Sequence, residues 1–421
     1  MDQAVLDRPA APTGNGQLGN ADEHLALPFP LSLDGQRLKR SMMRQLIAVT
    51  AQPDVISFAG GLPAPELLPV VEWAECTART LAEDGPPALQ YGPQYPPLLE
   101  HIAALMARRG ADVPPERIFI TNGCQQGLQI AARLLMDPDS SAVVDRYVFP
   151  GVRQAFGGMQ RELREVETDA VTGLDVATVA GAVISQPTPR ALVVVPDFHN
   201  PLGTSLSEEA RDALVALARA HRVAIVEDDP YSMLAFDGHL STPLLARAPE
   251  RTIYLGSFSK LIAPALRMGW LVAPDGLADK LRVIKESMDL ESSALTQRVV
   301  ARFLAGGYLD AHLQAVRATY AERCRVMTAA IAEHFPAGTR CSAPAGGMFI
   351  WAQLPMLLDT LEILGEAIQS HVAYIPGVAF TSEGRRSAAM RLNFSNASPE
   401  RIRQGVAILG AVLRRYPDGS L

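Results

Sequence analysis

Short apolar runs, three of them rich in valine, alternate with segments of helical periodicity from about residue 98 to residue 305. The runs are SAVVD (141–145), ALVVVP (191–196), VAIVED (223–228) and TIYLGSF (252–258). Runs of this length are typical of strands buried on both faces of a parallel sheet. Between two of them, residues 206–221 show the apolar spacing and the acidic first turn of a helix. The pattern predicts an α/β fold with a mostly parallel sheet.

The pattern changes character after residue 305. Long helical segments are followed by two strand-like segments, GGMFIWAQL and AAMRLNFS, and by a terminal helical segment. That order indicates a smaller α+β domain. We therefore expect a mobile N-terminal arm over 1–34, a segment over 35–64 that contributes to the small domain and the functional site, a large domain over 65–305 and a small domain over 306–421.

Composition and charge exclude several classes of protein. The chain has 421 residues, a net charge of −7 and no long basic run, which argues against nucleic acid or an anionic membrane surface as a partner. The four cysteines are scattered and form no CxxC pair, so neither a disulfide framework nor a metal site is expected. No run of about 18 apolar residues is present, and the first residues do not resemble a signal peptide. A cytoplasmic location fits these observations best.

The stretch GSFSKLIAPALRMGW (256–270) places a lysine, Lys260, among apolar residues and glycine. A lysine in an apolar pocket or beside another cation has a lowered pKa and becomes a usable nucleophile. Arg267 could supply that charge or bind a phosphate, and Ser257 and Ser259 could donate to the same phosphate. The competing interpretation is an ordinary surface lysine.

Two further candidate positions follow strands. TNGCQQGL (121–128) runs from a strand into a helix, and the free N–H groups of a helix start favour an anion such as phosphate. The alternative is an ordinary strand-to-helix turn. Glu227, Asp228 and Asp229 end a buried strand close to Tyr231, where they need partners such as a protonated cofactor ring. The alternative here is a solvated acidic loop.

Asn200 and Arg391 are two more candidates. Asn200 follows a strand in PDFHNPLG (196–203), where a Pro-Gly turn is the competing interpretation and His199 is expected to pack or to form hydrogen bonds. Arg391 lies in a strand-like apolar run, which indicates a buried carboxylate partner because a guanidinium matches a carboxylate in two hydrogen bonds. That carboxylate belongs either to a substrate or to a structural ion pair.

A nucleophilic lysine, an acid for a ring nitrogen, phosphate donors and a carboxylate-binding arginine are together the parts of a pyridoxal phosphate site. The chain resembles the fold-type I aminotransferases of class I/II, in the branch that contains 2-aminoadipate and kynurenine aminotransferases and the aminotransferase domains of MocR-type regulators. The resemblance covers about residues 38 to 416. Six motifs carry it in the family's order, namely SFAGGLPAPELLP, LQYGP, EDDPY, SFSK with LRMGW, GGMFIW and RLNFSNASPE.

The resemblance implies roles for each candidate. Lys260 would bind pyridoxal 5'-phosphate as a Schiff base and carry the proton of the substrate carbon, and Asp228 would keep the ring nitrogen protonated. Asn200 and Tyr231 would hydrogen-bond the ring oxygen, and Asn200 would also line the substrate site. The large domain would be the cofactor-binding one. The phosphate would be held by a set of amides and side chains, namely those of Gly123, Cys124, Gln125, Ser257, Ser259 and Arg267.

The remaining implied roles concern the substrate and a second subunit. Arg391 would bind the α-carboxylate, and Gly61 would line the substrate side. Arg44, on the helix-like segment LKRSMMRQLIAV, matches an arginine that relatives use for a distal carboxylate. Tyr91 would reach the phosphate of the neighbouring subunit, which implies a homodimer with composite active sites.

The sequence departs from the family pattern around the ring. Phe149 stands where the family usually stacks a tyrosine on the cofactor, and it lacks a hydroxyl group. Cys124 replaces a more usual Ser or Gly, and HNPLG replaces QNPTG. These changes leave cofactor binding plausible, but altered surroundings can redirect the same cofactor to other chemistry.

Three functions follow from the resemblance. The first is an aminotransferase that moves the amino group of a 2-aminoadipate-like, acidic, aromatic or aliphatic α-amino acid to a 2-oxo acid such as 2-oxoglutarate. The second is a pyridoxal phosphate enzyme of specialised biosynthesis that performs elimination, replacement, cyclisation or oxidation. The third, remote one is an effector-binding module without catalysis, as in regulators, although only about 40 residues precede the matching region here and the chain is acidic.

Overall fold

The valine-rich runs form the middle of a seven-stranded sheet. The structure, a computed structural model, describes residues 29–32, 35–36, 54–157, 161–169, 172–355, 358–381 and 384–416. The chain divides into two compact units, Met1–Leu38 and Lys39–Leu421, and every element named below belongs to the second. In the first unit, the amide of Gln36 donates to the carbonyl of Ser32 at 3.0 Å.

Fifteen strands are found in the described residues of the second unit. They are β1 (Ile56–Ser57), β2 (Ile118–Thr121), β3 (Ser141–Asp145), β4 (Glu162–Val166), β5 (Thr168–Asp169), β6 (Gly173–Leu174), β7 (Ala191–Val194), β8 (Ala224–Asp229), β9 (Thr252–Ser257), β10 (Gly269–Val272), β11 (Arg340–Cys341), β12 (Phe349–Gln353), β13 (Val372–Ala373), β14 (Ile375–Pro376) and β15 (Ala389–Asn393).

Twelve α-helices are found in the same part of the chain. They are α1 (Val70–Asp84), α2 (Pro96–Ala107), α3 (Cys124–Leu135), α4 (Pro150–Phe156), α5 (Val176–Ile184), α6 (Glu208–His221), α7 (Leu244–Arg247), α8 (Ala278–Asp289), α9 (Ala294–Ala305), α10 (Tyr308–His334), α11 (Leu364–Gln369) and α12 (Pro399–Leu413). None of the described helices is both long and apolar enough to cross a membrane.

The large sheet has the strand order β2-β10-β9-β8-β7-β3-β4. The five strands from β9 to β4 are parallel, as predicted, and β10 runs antiparallel to both of its neighbours. Successive side chains of β3 and β7 enter different apolar clusters: Val144 and Val193 lie in one, and Val143 and Leu192 in the other. Burial on both faces explains why these strands are continuous apolar runs.

The antiparallel strand β10 joins two segments that lie far apart in the sequence. Gly269, its first residue, pairs with Ser257 at the end of β9 and with Thr121 at the end of β2. A Cβ atom on Gly269 would lie 2.6 Å from the carbonyl oxygen of Gly256 and 2.8 Å from Cα of Gly123, so only glycine fits there. This close approach sets the turn after β2 beside the turn after β9.

A second, four-stranded antiparallel sheet has the order β11-β12-β15-β14. Arg391 lies in the middle of β15, where it pairs with Trp351 of β12 and Ile375 of β14. Near it, β1 pairs in parallel with β13, and the amide of Phe58 donates to the carbonyl of Ala373 at 2.7 Å. The segment after β1 is thereby held next to β15.

Candidate active site

Lys260 lies in the turn after β9 and is partly buried. Its Nζ atom donates to the carbonyl oxygen of Gly61 at 2.6 Å. Burial, followed by the positive charges of Arg391 and Arg267, lowers the pKa of Lys260 to about 8. An amine with a pKa of about 8 is neutral in roughly a tenth of molecules at pH 7, far more than a lysine with the ordinary pKa of about 10.5, and the neutral form is the nucleophile. The interpretation as an ordinary surface lysine is therefore wrong.

The three acids at the end of β8 are buried and have three different environments. Glu227 accepts two backbone N–H groups at the start of α7, both at 2.9 Å. Asp229 forms an ion pair with the buried Arg109. Asp228 is different, since its Oδ1 atom is buried and has no hydrogen-bond partner in the described part of the chain. These contacts exclude a solvated acidic loop.

The carboxyl group of Asp228 has a perturbed acidity. Burial raises its pKa to about 6, with Asp229 adding to the rise and the nearby Cys124 thiol opposing it. A buried carboxylate oxygen without a donor is costly, on the order of 1–3 kcal/mol or more. An N–H group placed against Oδ1 would remove that cost, so the geometry fits a protonated ring nitrogen at this point.

Arg391, Asn200 and Tyr231 form a connected group. Nη1 of Arg391 donates to Oδ1 of Asn200 at 2.8 Å, and Nδ2 of Asn200 lies 3.5 Å from the Tyr231 hydroxyl. The Tyr231 ring packs edge-on against Phe349, with 5.9 Å between ring centroids. The turn after β7 is therefore more than a Pro-Gly turn, because its Asn200 side chain connects Arg391 with Tyr231.

The Arg391 guanidinium is buried and has no carboxylate within ion-pair distance among the described residues. Its other recorded hydrogen bond is to the carbonyl oxygen of Ala59, and its Nε atom has no partner in the part of the chain described. It lies 4.3 Å above the ring centroid of Phe349 and 5.1 Å from that of Phe380. Burial lowers its pKa to about 10. The structural ion pair considered from the sequence is not observed among the described residues, so this buried cation has no counter-charge there.

The turns after β2 and β9 meet around Arg267. Nη2 of Arg267 donates to the carbonyl of Asn122 at 2.7 Å, and Nη1 lies 3.5 Å from the Ser259 hydroxyl. Gly123 has φ of +82°, which a side chain would strain, and a Cβ atom there would lie 3.0 Å from Arg267. Helix α3 starts at the next residue, so its free amides, the guanidinium and the hydroxyls of Ser257 and Ser259 can hold an anion.

Other predicted residues lie at the margin of this group. The Cys124 thiol is 3.8 Å from the carbonyl of Leu255, and burial raises its pKa well above the usual range. Gln125 donates to the carbonyl of Gly151 at 3.1 Å, next to Phe149 at the start of α4.

Tyr91 is not brought into this group. The Tyr91 side chain is 81% exposed. Arg44 lies within residues 37–53, which are outside the described part of the chain.

The profile of the family "Aminotransferase class I and II" matches residues 53–409. The chain belongs to this family. An aromatic-amino-acid aminotransferase of Thermococcus litoralis is 35% identical, over 90% of this chain and 92% of its own. A 2-aminoadipate transaminase of Thermus thermophilus is 34% identical, over 90% and 95%. The crystal structure of a kynurenine aminotransferase of Pyrococcus horikoshii, in complex with PMP, has a TM-score of 0.86 and 32% identity, and the match covers 91% of this chain and 97% of that one.

Regulators are also among the relatives of this aminotransferase, as expected from the sequence. An uncharacterized helix-turn-helix-type transcriptional regulator of Bacillus subtilis is 30% identical, over 90% of this chain and 78% of its own length. The comparisons confirm the fold-type I aminotransferase fold and the enzyme class.

The cofactor of this aminotransferase is pyridoxal 5'-phosphate, which its family uses. The residues present fit that group, because the buried Oδ1 of Asp228 lacks a donor and the Gly123 turn leaves room beside Arg267 that a side chain would fill. When bound, the cofactor supplies an aldehyde for an amine and a ring that withdraws electrons from the substrate carbon.

Sequence reasoning missed two residues, Arg109 and Asp289, whose side chains hold other residues near the site in place. Asp229 and Tyr254 share the buried Arg109, which donates to the tyrosine hydroxyl at 2.8 Å. Asp289 accepts from two side chains of the turn after β2. Arg109 lies before a glycine in ARRGADV, and Asp289 lies at the end of a helix. Neither sequence context indicates a distant partner.

His199 was expected to pack or to form hydrogen bonds. Its backbone amide donates to the carbonyl of Thr204 at 2.8 Å, and its Nε2 atom lies 3.5 Å from Oδ2 of the buried Asp145. Leu202, the other atypical residue of HNPLG, is fully buried.

Proposed function

We propose that this aminotransferase transfers the amino group of an α-amino acid to a 2-oxo acid such as 2-oxoglutarate. The observation that carries the proposal is the Arg391 guanidinium, which is buried without a carboxylate partner in the described residues and bonded to Asn200. Both an α-amino acid and a 2-oxo acid present a carboxylate to such a group. One arginine would therefore bind both substrates of the exchange.

The other polar side chains divide the chemistry between them. Asp228 would hold the proton on the ring nitrogen, which its unpartnered Oδ1 favours. Asn200 and Tyr231 would hydrogen-bond the ring oxygen, and Lys260 would attack the cofactor aldehyde and later carry the proton of the substrate carbon.

The phosphate of the cofactor would lie at the start of α3. The proposed donors there are the amides of Gly123, Cys124 and Gln125 together with Ser257, Ser259 and Arg267. Phe149, at the start of α4, would stack on the ring without donating a hydrogen bond. Gly61, whose carbonyl accepts from Lys260, would line the substrate side.

The donor would carry a long or acidic side chain, as in 2-aminoadipate or glutamate, or an aromatic or aliphatic one. Arg44 is the proposed partner of a distal carboxylate. The names of the relatives support this range, because one is an aromatic-amino-acid aminotransferase and another a 2-aminoadipate transaminase.

The active enzyme would be a homodimer with composite sites, in which Tyr91 reaches the phosphate in the neighbouring subunit. The 81% exposure of Tyr91 and the 70% exposure of Leu89 beside it support this arrangement, since apolar surface of this kind is typical of interfaces. We also propose a cytoplasmic location in a biosynthetic or amino acid pathway, and the four free cysteines support a reducing compartment.

The domain boundaries are part of the proposal too. A large cofactor-binding domain over 65–305 would contain the seven-stranded sheet, and a small domain over 306–421 the four-stranded one. The pairing of β1 with β13 supports a contribution of residues 35–64 to the small domain.

A half-reaction experiment tests the function. The purified protein loaded with pyridoxal 5'-phosphate is mixed with single amino acids, and pyridoxamine 5'-phosphate is measured before and after addition of 2-oxoglutarate. Formation of pyridoxamine 5'-phosphate and its return to pyridoxal 5'-phosphate are the expected results, and the initial rates rank the donors.

A second candidate function keeps the cofactor and changes the reaction to elimination, replacement, cyclisation or oxidation. Phe149, which has no hydroxyl, and Cys124, whose thiol lies near Asp228, favour it. Ammonia release without pyridoxamine 5'-phosphate in the same experiment would support this function. A third, remote alternative is an effector-binding module of a transcriptional regulator. A gel shift with random-sequence DNA at low salt tests it.

A further inference from the structure

The turn between β2 and α3 is attached to helix α8 through the carboxylate of Asp289. Oδ2 of Asp289 accepts from Nδ2 of Asn122 at 2.5 Å and from Nε2 of Gln126 at 2.7 Å. Nζ of Lys285, one helical turn earlier, donates to Oδ1 at 2.5 Å. We call these four residues the Asp289 clamp. They join segments that are more than 150 residues apart in the sequence.

Asn122 is held at three of its polar groups, two of them by the clamp and one by Arg267. Its side-chain amide donates to Asp289, its backbone amide donates to Oε1 of Gln126 at 2.8 Å, and its carbonyl accepts from Arg267 at 2.7 Å. Gly123 follows directly, and its left-handed backbone directs the chain into α3. The position of the first amides of α3 relative to Arg267 therefore depends on Asn122.

The charges of the clamp are balanced and largely shielded from water. The Asp289 side chain is 22% exposed, and the Lys285 side chain is 9% exposed. A carboxylate near a phosphate site would repel the phosphate if it were alone, since partial burial weakens solvent screening. The ion pair with Lys285 offsets this repulsion, so the clamp provides two hydrogen-bond acceptors with little net charge.

We propose that Asp289 is a positioning residue for the phosphate group of the cofactor. It holds Asn122 and Gln126 so that the amides of Gly123, Cys124 and Gln125 and the Arg267 guanidinium converge on one anion. The inference rests on the proposed place of the phosphate at the start of α3. Helix α8 thereby supports cofactor binding without touching the cofactor.

The alternative is that Asp289 only attaches α8 to the fold. The two roles predict different effects on phosphate recognition. If Asp289 only attaches α8, its loss disturbs the whole site and weakens the binding of every ligand there. A change confined to the turn weakens the binding of pyridoxal 5'-phosphate. It leaves the binding of pyridoxal unchanged, because pyridoxal has the same ring and aldehyde but no phosphate.

The test uses the full-length protein freed of cofactor and titrated with each ligand. Asp289→Ala is expected to raise the Kd of pyridoxal 5'-phosphate about tenfold or more, the scale of one hydrogen bond to a charged group, and to leave the Kd of pyridoxal within about twofold. Asp289→Asn keeps one acceptor oxygen and is expected to give an intermediate value.

Two controls isolate the clamp. Asp279 lies on the same helix, and its side chain is 93% exposed. Asp279→Ala should therefore change the Kd of neither ligand. The double variant Asp289→Ala/Lys285→Met keeps the net charge of the protein, so it tests the loss of hydrogen bonds without a freed ammonium group. The double variant is expected to raise the Kd of pyridoxal 5'-phosphate at least as much as Asp289→Ala alone.

An equal loss of affinity for both ligands, or no loss in either Asp289 variant, would overturn the inference. Should the alanine variant not fold, the same criteria apply to Asp289→Asn. Arg267→Gln distinguishes a failure of the inference about Asp289 from a failure of the proposed phosphate site. If Arg267→Gln leaves the preference for the phosphorylated ligand intact, the phosphate does not lie at the start of α3; if it removes that preference and Asp289→Ala does not, only the role of Asp289 is wrong.

Discussion

Arg391 and Asn200 are joined by a hydrogen bond of 2.8 Å, although 191 residues separate them in the sequence. The bond links the strand β15 of the four-stranded sheet to the turn after β7 of the large sheet. One side chain is proposed to bind the substrate carboxylate and the other the cofactor ring. With these roles, the carboxylate would be held at a defined distance from the ring, which would orient the substrate carbon for reaction.

Replacing Arg391 with Gln should raise the KM for α-amino acids and lower kcat/KM by about 10- to 100-fold, since a charge-assisted hydrogen bond contributes about 1.5–3 kcal/mol. Steady-state kinetics with the best donor of the half-reaction experiment measures the effect. Arg386→Ala, which removes an exposed arginine from the same region, should leave kcat/KM unchanged. An unaltered KM in Arg391→Gln would place the carboxylate elsewhere.

Replacing Asp228 with Asn should stabilise the cofactor-free protein while it impairs catalysis. The pKa of Asp228 is raised to about 6 in the folded chain, so its contribution to the free energy of unfolding is full below about pH 4 and is lost as the pH rises through 6. Asparagine does not ionise, so the Asp228→Asn variant does not lose this free energy of unfolding as the pH rises. The variant should gain up to about 3 kcal/mol above pH 7 and nothing near pH 4, because one pKa unit corresponds to about 1.4 kcal/mol.

Denaturant unfolding of the cofactor-free wild type and Asp228→Asn, at a series of pH values, measures this difference. Asp279→Asn, at an exposed position, serves as the matched control. A pH-independent difference would mean that Asp228 is not forced to ionise in a buried site.

The sequence predicted the buried parallel strands well, but not the edge strand β4 or the antiparallel strand β10. Strands such as β7 are apolar throughout because both faces are covered, which leaves an unambiguous run. The edge strand β4, ELREV, carries three charged side chains, and none of the sequence predictions included it. Strand β10 has only four residues, and its antiparallel pairing with β9 and β2 is a property of the assembled sheet.

The same contrast holds for the site. Lys260, Asp228 and Arg391 could be proposed because each is an ionisable residue in an apolar setting, which needs a chemical reason. Asp289 and Arg109 could not, because the site residues that they contact, Asn122 and Gln126 for Asp289 and Asp229 for Arg109, lie more than 100 residues away in the sequence. The direction of each side chain in the folded sheet decides which acid of the EDD sequence pairs with Arg109 and which keeps an oxygen atom without a hydrogen-bond partner among the described residues.

Replacing Lys260 with Ala should abolish covalent attachment of pyridoxal 5'-phosphate and leave the fold intact, since the side chain is partly buried and its recorded hydrogen bond is to one carbonyl. The loss of turnover should exceed the roughly 10²–10⁴-fold that a general acid–base group alone contributes. The visible absorbance of the purified protein, and mass spectrometry after borohydride reduction, measure the attachment. Retained turnover in this variant would refute the role of Lys260.

The rate of covalent cofactor attachment should depend on pH with a midpoint at about 8. Burial, followed by the charges of Arg391 and Arg267, lowers the pKa of Lys260 to that value, and only the neutral amine attacks an aldehyde. The rate should therefore rise about tenfold per pH unit below 8 and level off above it. Rapid mixing of the cofactor-free protein with pyridoxal 5'-phosphate over pH 6 to 10 measures the curve.

Arg391→Gln provides the internal comparison for this curve. It removes one of the two charges that lower the pKa of Lys260, so the midpoint should move to higher pH, towards the value of about 10.5 for a free lysine. Arg386→Ala should leave the midpoint in place, because that arginine is exposed and pairs with Glu362. A wild-type midpoint near 10 would show that the amine is solvated like a surface lysine, and burial would then not be what prepares Lys260 for reaction.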